Sequence, residues 1–281
     1  MMDRRRFLET GACAALATAL PRLRATTPRK LERIGVQLYT VRSQMGPDRG
    51  PRSVEETLQG VAQIGYREVQ FAGYFGRTPR QIRSALDAAG LGAPGAHVPL
   101  SALREDWDES LEAARVMGHR YLLVAWIPGE ERQTLDGYRR IAELFNSAAE
   151  QARAAGVLFA YHNHDYEFAR LEGRVPYDVL LAEASQELVK MEMDLFWITR
   201  GSGDPFAYFR AYPGRFHSVH VKDMDRRDGM VEVGRGTIDF ARIFAQQEQA
   251  GIRHYYVEHD SPERPMDSIR ESYEYLRRLE F

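Results

Sequence analysis

Residues 161–168 read YHNHDYEF. Side chains two positions apart in a strand share a face, so His162 and His164 are expected to point at one place, with Asp165 and Glu167 close behind. Imidazoles gathered in this way can ligate a divalent ion or move a proton. Three further runs end in groups of the same kind: LVKMEMD in Asp194, FHSVHVK in His220 and Lys222, and HYYVEH in Glu258. His162, Asp194, His220 and Glu258 together make a nitrogen and oxygen donor set without sulfur. Such a set suits one divalent ion, Mn²⁺, Co²⁺, Zn²⁺ or Mg²⁺, with positions left open for substrate oxygens. Each residue alone has a plainer reading: a histidine hydrogen-bonded in the core, Asp194 capping a helix, Glu258 in an ion pair. All four at one rim are harder to explain that way, because buried charges need compensation.

The elements that must position them are legible as an alternation. Short β-rich runs fall at 34–39, 67–71, 92–98, 120–126, 157–162, 188–194, 216–221 and 254–259, and amphipathic helical stretches lie between them. Val54, Leu58 and Val61 mark one helix face and Ile269, Tyr273 and Leu276 another, at the spacing of a helix that buries one side. Gly65, Gly118, Gly156 and Gly251 each stand between a helix and the next strand, where the left-handed backbone of a helix stop favours glycine. Eight such units predict an α/β fold, a single (β/α)8 TIM barrel over residues 26–281. A doubly wound open sheet is the runner-up, but the glycine-rich phosphate turn usual after its first strand is replaced here by YTVRSQM.

In a barrel the active site forms where strands end. Besides the four candidate ligands, those ends hold Gln37, Tyr39, Glu68, Gln70, His97, Trp126, His164 and Lys222. Glu258 and His164 are candidate bases, and Lys222 a hydrogen-bond or proton donor, its alternative being a solvated surface lysine. Gln37, Tyr39, His97, Trp126, Trp197 and Lys222 are expected to line the substrate pocket, although ordinary core packing explains any single aromatic equally well. In VGRGTIDF, Arg235 between two glycines could dock a phosphate on backbone N–H groups; a plain turn is the alternative.

The first 25 residues differ in kind. A basic head, DRRRFLE, runs into TGACAALATAL and then PRLRA, the pattern of a secretory signal with twin-arginine character. The apolar run falls short of the roughly 20 residues that span a bilayer, so export to the periplasm is expected rather than stable membrane insertion. Removing five arginines and two acids with this segment moves the formal charge from −2 to −5. An acidic chain lacks the basic face that nucleic acid requires. The single cysteine, Cys13, leaves with the signal, so neither disulfides nor thiol chemistry are available; lipid attachment at Cys13 stays open.

The ordered runs GVQLYTVR, YHNHDYEF, MDLFWI, GDPFAYF, HSVHVKDM, VGRGTIDF, YYVEHD and SYEYLRRL resemble the sugar isomerase/epimerase superfamily with a xylose isomerase-like barrel, including its inosose dehydratase-like members. The resemblance implies a metal site on Asp194, His220 and Glu258, with the fifth-strand ligand at His162. Many members carry glutamate at that position, in a motif like ENH where this chain reads HNH, which puts two-base epimerisation in doubt. It implies proton abstraction beside a metal-bound carbonyl of a sugar or keto-sugar, with the ion stabilising the enediolate. Isomerisation or epimerisation is the first expectation, and elimination of water or an aglycone by a dehydratase or lyase the second. A non-catalytic exported sugar-binding protein and an abasic-site endonuclease complete the field; acidity counts against the endonuclease. The expected partner is a small sugar or sugar derivative, with a homo-oligomer possible.

Overall fold

The computed structural model describes residues 28–45 and 53–281; the expected signal segment lies outside them. Eight strands form a closed parallel barrel: β1 (Gly35–Gln37), β2 (Glu68–Phe71), β3 (Gly92–Val98), β4 (Tyr121–Val124), β5 (Leu158–His162), β6 (Val189–Asp194), β7 (Phe216–Val221) and β8 (His254–Val257). Each pairs with its neighbours in sequence. Gly35 and Val36 meet Tyr256 and Val257 to close the ring.

Local chemistry sets the helix boundaries. Ser53 and Glu56 form a reciprocal capping box at the start of helix Val54–Ile64, and Thr78 and Gln81 do the same for Pro79–Ala89, each satisfying N–H groups the helix cannot. The four junction glycines all have positive φ. Gly65 has a second reason to be glycine, since a Cβ there would fall on the ring of Tyr273.

Strand alternation divides the molecule into two interiors. Val69, Phe71, Leu122, Val124, Phe159, Tyr161, Met191, Met193, Val219, Val221 and Val257 join the main apolar core with the helices. Each such side chain, fully buried, contributes roughly 1.5–3 kcal/mol. The intervening positions carry Gln37, Glu68, Gln70, His162, Glu192, Asp194, Ser218, His220 and Glu258, all buried. Tyr121, Leu123 and Ala160 form a small apolar cluster of their own. Barrel interiors are usually packed with bulky branched residues; this one is mostly polar, and polar groups in such a place must bond one another.

Among the described residues no helix is long and apolar enough to cross a membrane.

Candidate active site

Asp194 ends β6, and its two carboxylate oxygens face different tasks. Oδ1 accepts the backbone N–H of Trp197 at 2.9 Å and caps helix Leu195–Arg200. Oδ2 is buried and has no hydrogen-bond partner. Around it stand His162 Nε2 at 3.7 Å, His220 Nδ1 at 3.8 Å and the Lys222 ammonium at 3.0 Å. The cap and the ligand readings of this residue therefore fall on separate atoms. Asn163, just past the end of β5 and between His162 and His164, accepts the Asp194 N–H at 3.1 Å and ties the strand ends together.

Glu258 follows β8, and its Oε2 receives both His220 Nδ1 at 2.6 Å and Lys222 Nζ at 2.8 Å. Lys222 also reaches Asp260 at 2.8 Å. It is buried, so the surface reading of this lysine does not hold. Burial opposes its charge, but Asp194, Glu258 and Asp260 outweigh that and hold the ammonium above its usual range. Burial pushes Asp194 up to about 6, against the pull of Lys222 and His220. Glu258 is held well below the ordinary carboxylate range because Lys222 and His220 overcome its own burial. His162 is pushed well down, by burial first and then by the charge of His220.

Beneath this cluster lies a residue that strand-end reasoning missed. Glu192 is fully buried, and its Oε1 meets His97 Nε2 at 2.9 Å, His220 Nε2 at 2.9 Å and His162 Nδ1 at 3.3 Å. Its Oε2 accepts from Gln70 at 2.6 Å and Ser218 at 2.7 Å. Burial works against its charge, yet His220 and the hydrogen bonds of all three rings keep it ionised. The available signal was spacing: Glu192 stands two positions before Asp194, on the same strand face.

Above the cluster opens a cleft of about 700 Å³ lined by Tyr39, His97, Trp126, His162, His164, Trp197, Lys222 and Glu258, among others. Trp126 and Tyr39 are exposed, at 52% and 39%, which leaves ring surface free for a ligand. His164 stacks on Tyr166 and meets Trp126 edge-on, while its backbone N–H donates to Glu167 at 2.9 Å. Burial, with Lys222 adding to it, pushes His164 down to about 3.

Two expected pocket residues are not brought there. Gln37 is buried below the cleft, donating to Gln70 at 2.7 Å and accepting the Tyr39 N–H; a side chain that completes an internal network is not free for substrate. Arg235 lies in a different cleft, over helix Pro265–Leu276, paired with Glu271 at 2.6 Å. The N–H groups of Gly234 and Gly236 both donate to Asp223 at 2.9 Å, so the expected phosphate cradle is filled by a carboxylate of the chain itself.

The donor set fits a divalent ion. Ligand atoms of Asp194, His220 and Glu258 lie within 4.8 Å of one another, as do those of His97, His162, Glu192 and His220. Zinc bonds of roughly 2.0–2.2 Å in a tetrahedral or wider arrangement separate neighbouring ligand atoms by roughly 3–4 Å, the spacing of His162 and His220 from Asp194 Oδ2. That oxygen is buried, accepts no hydrogen bond and already faces one cation, the Lys222 ammonium at 3.0 Å, so a divalent ion would take the same charge.

Residues 58–279 match the family described as xylose isomerase-like TIM barrel. A sugar phosphate isomerase/epimerase from Parabacteroides distasonis ATCC 8503 is 25% identical, with a TM-score of 0.78 over 88% of this chain and 98% of that one. An inosose dehydratase from Lacticaseibacillus casei is 21% identical over 70% of this chain and 78% of its own length. The fold is also that of the IOLI protein, whose structure holds zinc; there the identity is 11% and the TM-score 0.71, over 86% of this chain and 95% of that one.

Proposed function

The chain belongs to the xylose isomerase-like TIM barrel family, and from that premise we propose that it is an exported, divalent-metal-dependent sugar isomerase or epimerase. The observation that carries the reading is the buried Asp194 Oδ2, which accepts no hydrogen bond and is ringed by His162, His220 and the Lys222 ammonium at 3.0 Å, with Glu258 on the far side of His220 and Lys222. His162, Asp194, His220 and Glu258 would hold the ion, which supplies a positive charge beside a sugar carbonyl and so acidifies the adjacent C–H. The zinc in the IOLI structure supports a metal in this family but not its identity here.

The residues of the chain do the rest. Glu258 lines the cleft, stays ionised, and takes both of its cationic contacts on Oε2, so it is the proton acceptor we assign. Lys222, held by three carboxylates, presents an N–H donor to a developing oxygen charge. Trp126, Tyr39 and Trp197 offer flat apolar faces to the C–H side of a sugar ring. His164, pushed down to about 3 by burial and Lys222, stays a neutral imidazole at neutral pH and offers one N–H and one lone pair.

A second reading is elimination, by a dehydratase or lyase acting on a keto-sugar or keto-glycoside. It is favoured by the HNH sequence, which leaves Glu258 without a facing glutamate on β5, and by the likeness to inosose dehydratase. Metal analysis of the purified protein with NMR of free, keto- and glycosidic sugars in D₂O decides. Isomerisation washes deuterium into product carbon with every substituent retained. Elimination releases water or an aglycone and leaves an enone absorbing in the ultraviolet. A protein that takes up metal yet exchanges no C–H of any sugar refutes both. Export is tested by fractionating cells that express the full chain.

A further inference from the structure

We propose that Glu192 is the positioning residue of the centre: one buried carboxylate fixes the ring planes of three histidines on alternate strands and the tautomer of two of them, His97 and His162. The proposal rests on the metal-centre reading above and concerns how the ligands come to present lone pairs to one point.

An ionised carboxylate can only accept hydrogen bonds. Oε1 of Glu192 faces His97 Nε2 and His162 Nδ1 at 2.9 and 3.3 Å, so each of those nitrogens must carry the ring proton. His220 Nε2, 2.9 Å from the same oxygen, also meets Gln70 Oε1 at 2.6 Å, and its Nδ1 donates to the Glu258 carboxylate at 2.6 Å, so both of its nitrogens carry protons. A neutral imidazole carries one N–H, and the other nitrogen is then a lone pair. The nitrogens left as lone pairs are His97 Nδ1 and His162 Nε2, while His220 Nδ1 becomes one only when a bound metal ion displaces its proton. His162 Nε2 stands 3.7 Å from Asp194 Oδ2, and His220 Nδ1 stands 3.8 Å from the same oxygen. His97 Nδ1 belongs to a ring that lines the cleft.

Glu192 is itself held from behind. Gln70 and Ser218 donate to Oε2 at 2.6 and 2.7 Å, and Gln37 fixes Gln70 by donating to its Oε1 at 2.7 Å. Strands β1, β2, β3, β5, β6 and β7 all contribute to the network, so the ring planes are set by the barrel itself rather than by a loop. Outer partners of this kind orient metal-ligating histidines and raise their basicity. The loss of glutamate from the β5 position, where HNH replaces ENH, is matched by a carboxylate one strand over, directly across the ladder from His162.

The test uses the full chain loaded with Zn²⁺ and labelled with ¹⁵N-histidine. Long-range ¹H–¹⁵N spectra, assigned with single histidine variants, should show protons on His97 Nε2, His162 Nδ1 and His220 Nε2. Glu192→Gln keeps the shape but brings an N–H₂ toward the rings, so at least one ring must turn or change tautomer. Its affinity for Zn²⁺ or Co²⁺, by chelator competition, should fall roughly 10–100-fold, and Glu192→Asp should recover part of the loss. A Glu192→Gln chain that binds Co²⁺ as tightly as the wild type, with an unchanged visible spectrum, overturns the proposal. So does a wild-type spectrum with the proton on His162 Nε2 or His220 Nδ1, a result that does not depend on any variant folding. A wild-type chain that takes up neither ion removes the metal-centre reading, and this proposal with it.

Discussion

Replacing Lys222 by methionine tests whether the cleft floor is a cation site. The ammonium touches Asp194, Glu258 and Asp260 together, at 3.0, 2.8 and 2.8 Å, and its side chain is 3% exposed. Methionine keeps the length and removes the charge, leaving two fully desolvated carboxylates short of a partner. Removing one member of a buried ion pair costs about 3–5 kcal/mol. Asp260 is 32% exposed and so partly screened, which places the expected loss near the lower end, about 3 kcal/mol. At roughly 2–4 °C per kcal/mol for a chain of this size, Tm in EDTA should drop by roughly 6–12 °C. A divalent ion at about 100 times its Kd contributes about 2.7 kcal/mol, enough to offset most of that loss. It should also bind the variant more tightly, because the ammonium no longer shares the same two oxygens. Paired thermal melts of wild type and Lys222→Met, in EDTA and in excess Zn²⁺ or Mn²⁺, read both effects. Equal Tm values in EDTA, or an identical metal increment in the two proteins, would refute the reasoning.

Three further outcomes are expected. His119 donates from Nδ1 to the Ala93 carbonyl at 2.6 Å and accepts from Tyr74 at 3.2 Å, a neutral arrangement that burial enforces by pushing it down to about 4. Its folded value lies below the unfolded one of about 6.5, so its stability contribution is complete above that pH and drains away toward pH 4. The loss is about 3 kcal/mol, and urea titrations of wild type and His119→Gln at pH 7.5 and 4 should differ by that amount. Gly236→Ala would drive a Cβ into the Asp223 carboxylate and break the bonds from Gly234, Gly236 and Ile238 that it gathers; a loss of about 1–3 kcal/mol in denaturant melts is expected. Trp126→Ala should leave Tm within about 2 °C, since the ring is half exposed, but raise KM about fivefold through the loss of about 1 kcal/mol of stacking. An unchanged KM would remove Trp126 from the substrate's path.

Most of the architecture was legible because both of its periods are strong. The runs at 92–98 and 216–221 coincide with β3 and β7 from end to end. The first and last strands came out shorter than their apolar runs. After Gln37 the chain turns into a 3₁₀ helix, Leu38–Gln44, and the last strand ends at Val257, with Glu258 keeping one N–H bond to Val221 at 3.3 Å and facing the cleft by ordinary alternation. Helix ends were equally readable, since the glycines at 65, 118, 156 and 251 mark them with positive φ.

What strand periodicity cannot supply is height. Alternation tells which face of a strand a residue takes, but the stagger between neighbouring strands decides which residues share a layer, and that is a property of the closed barrel. His162 ends β5, yet its ladder partner is Glu192, while Asp194, two residues higher on β6, is level with His220. Strand ends alone therefore placed Asp194 at the rim and passed over Glu192 beneath it. The same stagger drops Gln37 out of the cleft and into the network under it, although it closes its strand as His162 does. A polar lumen is possible only because the layers interlock in this way: each donor in one layer finds its acceptor in the next. Asp194 Oδ2 is where that succession stops: no hydrogen-bonded donor satisfies it, its charge is met by the Lys222 ammonium at 3.0 Å, and a barrel that pairs this oxygen with a cation of its own has built the place where a divalent ion would compete.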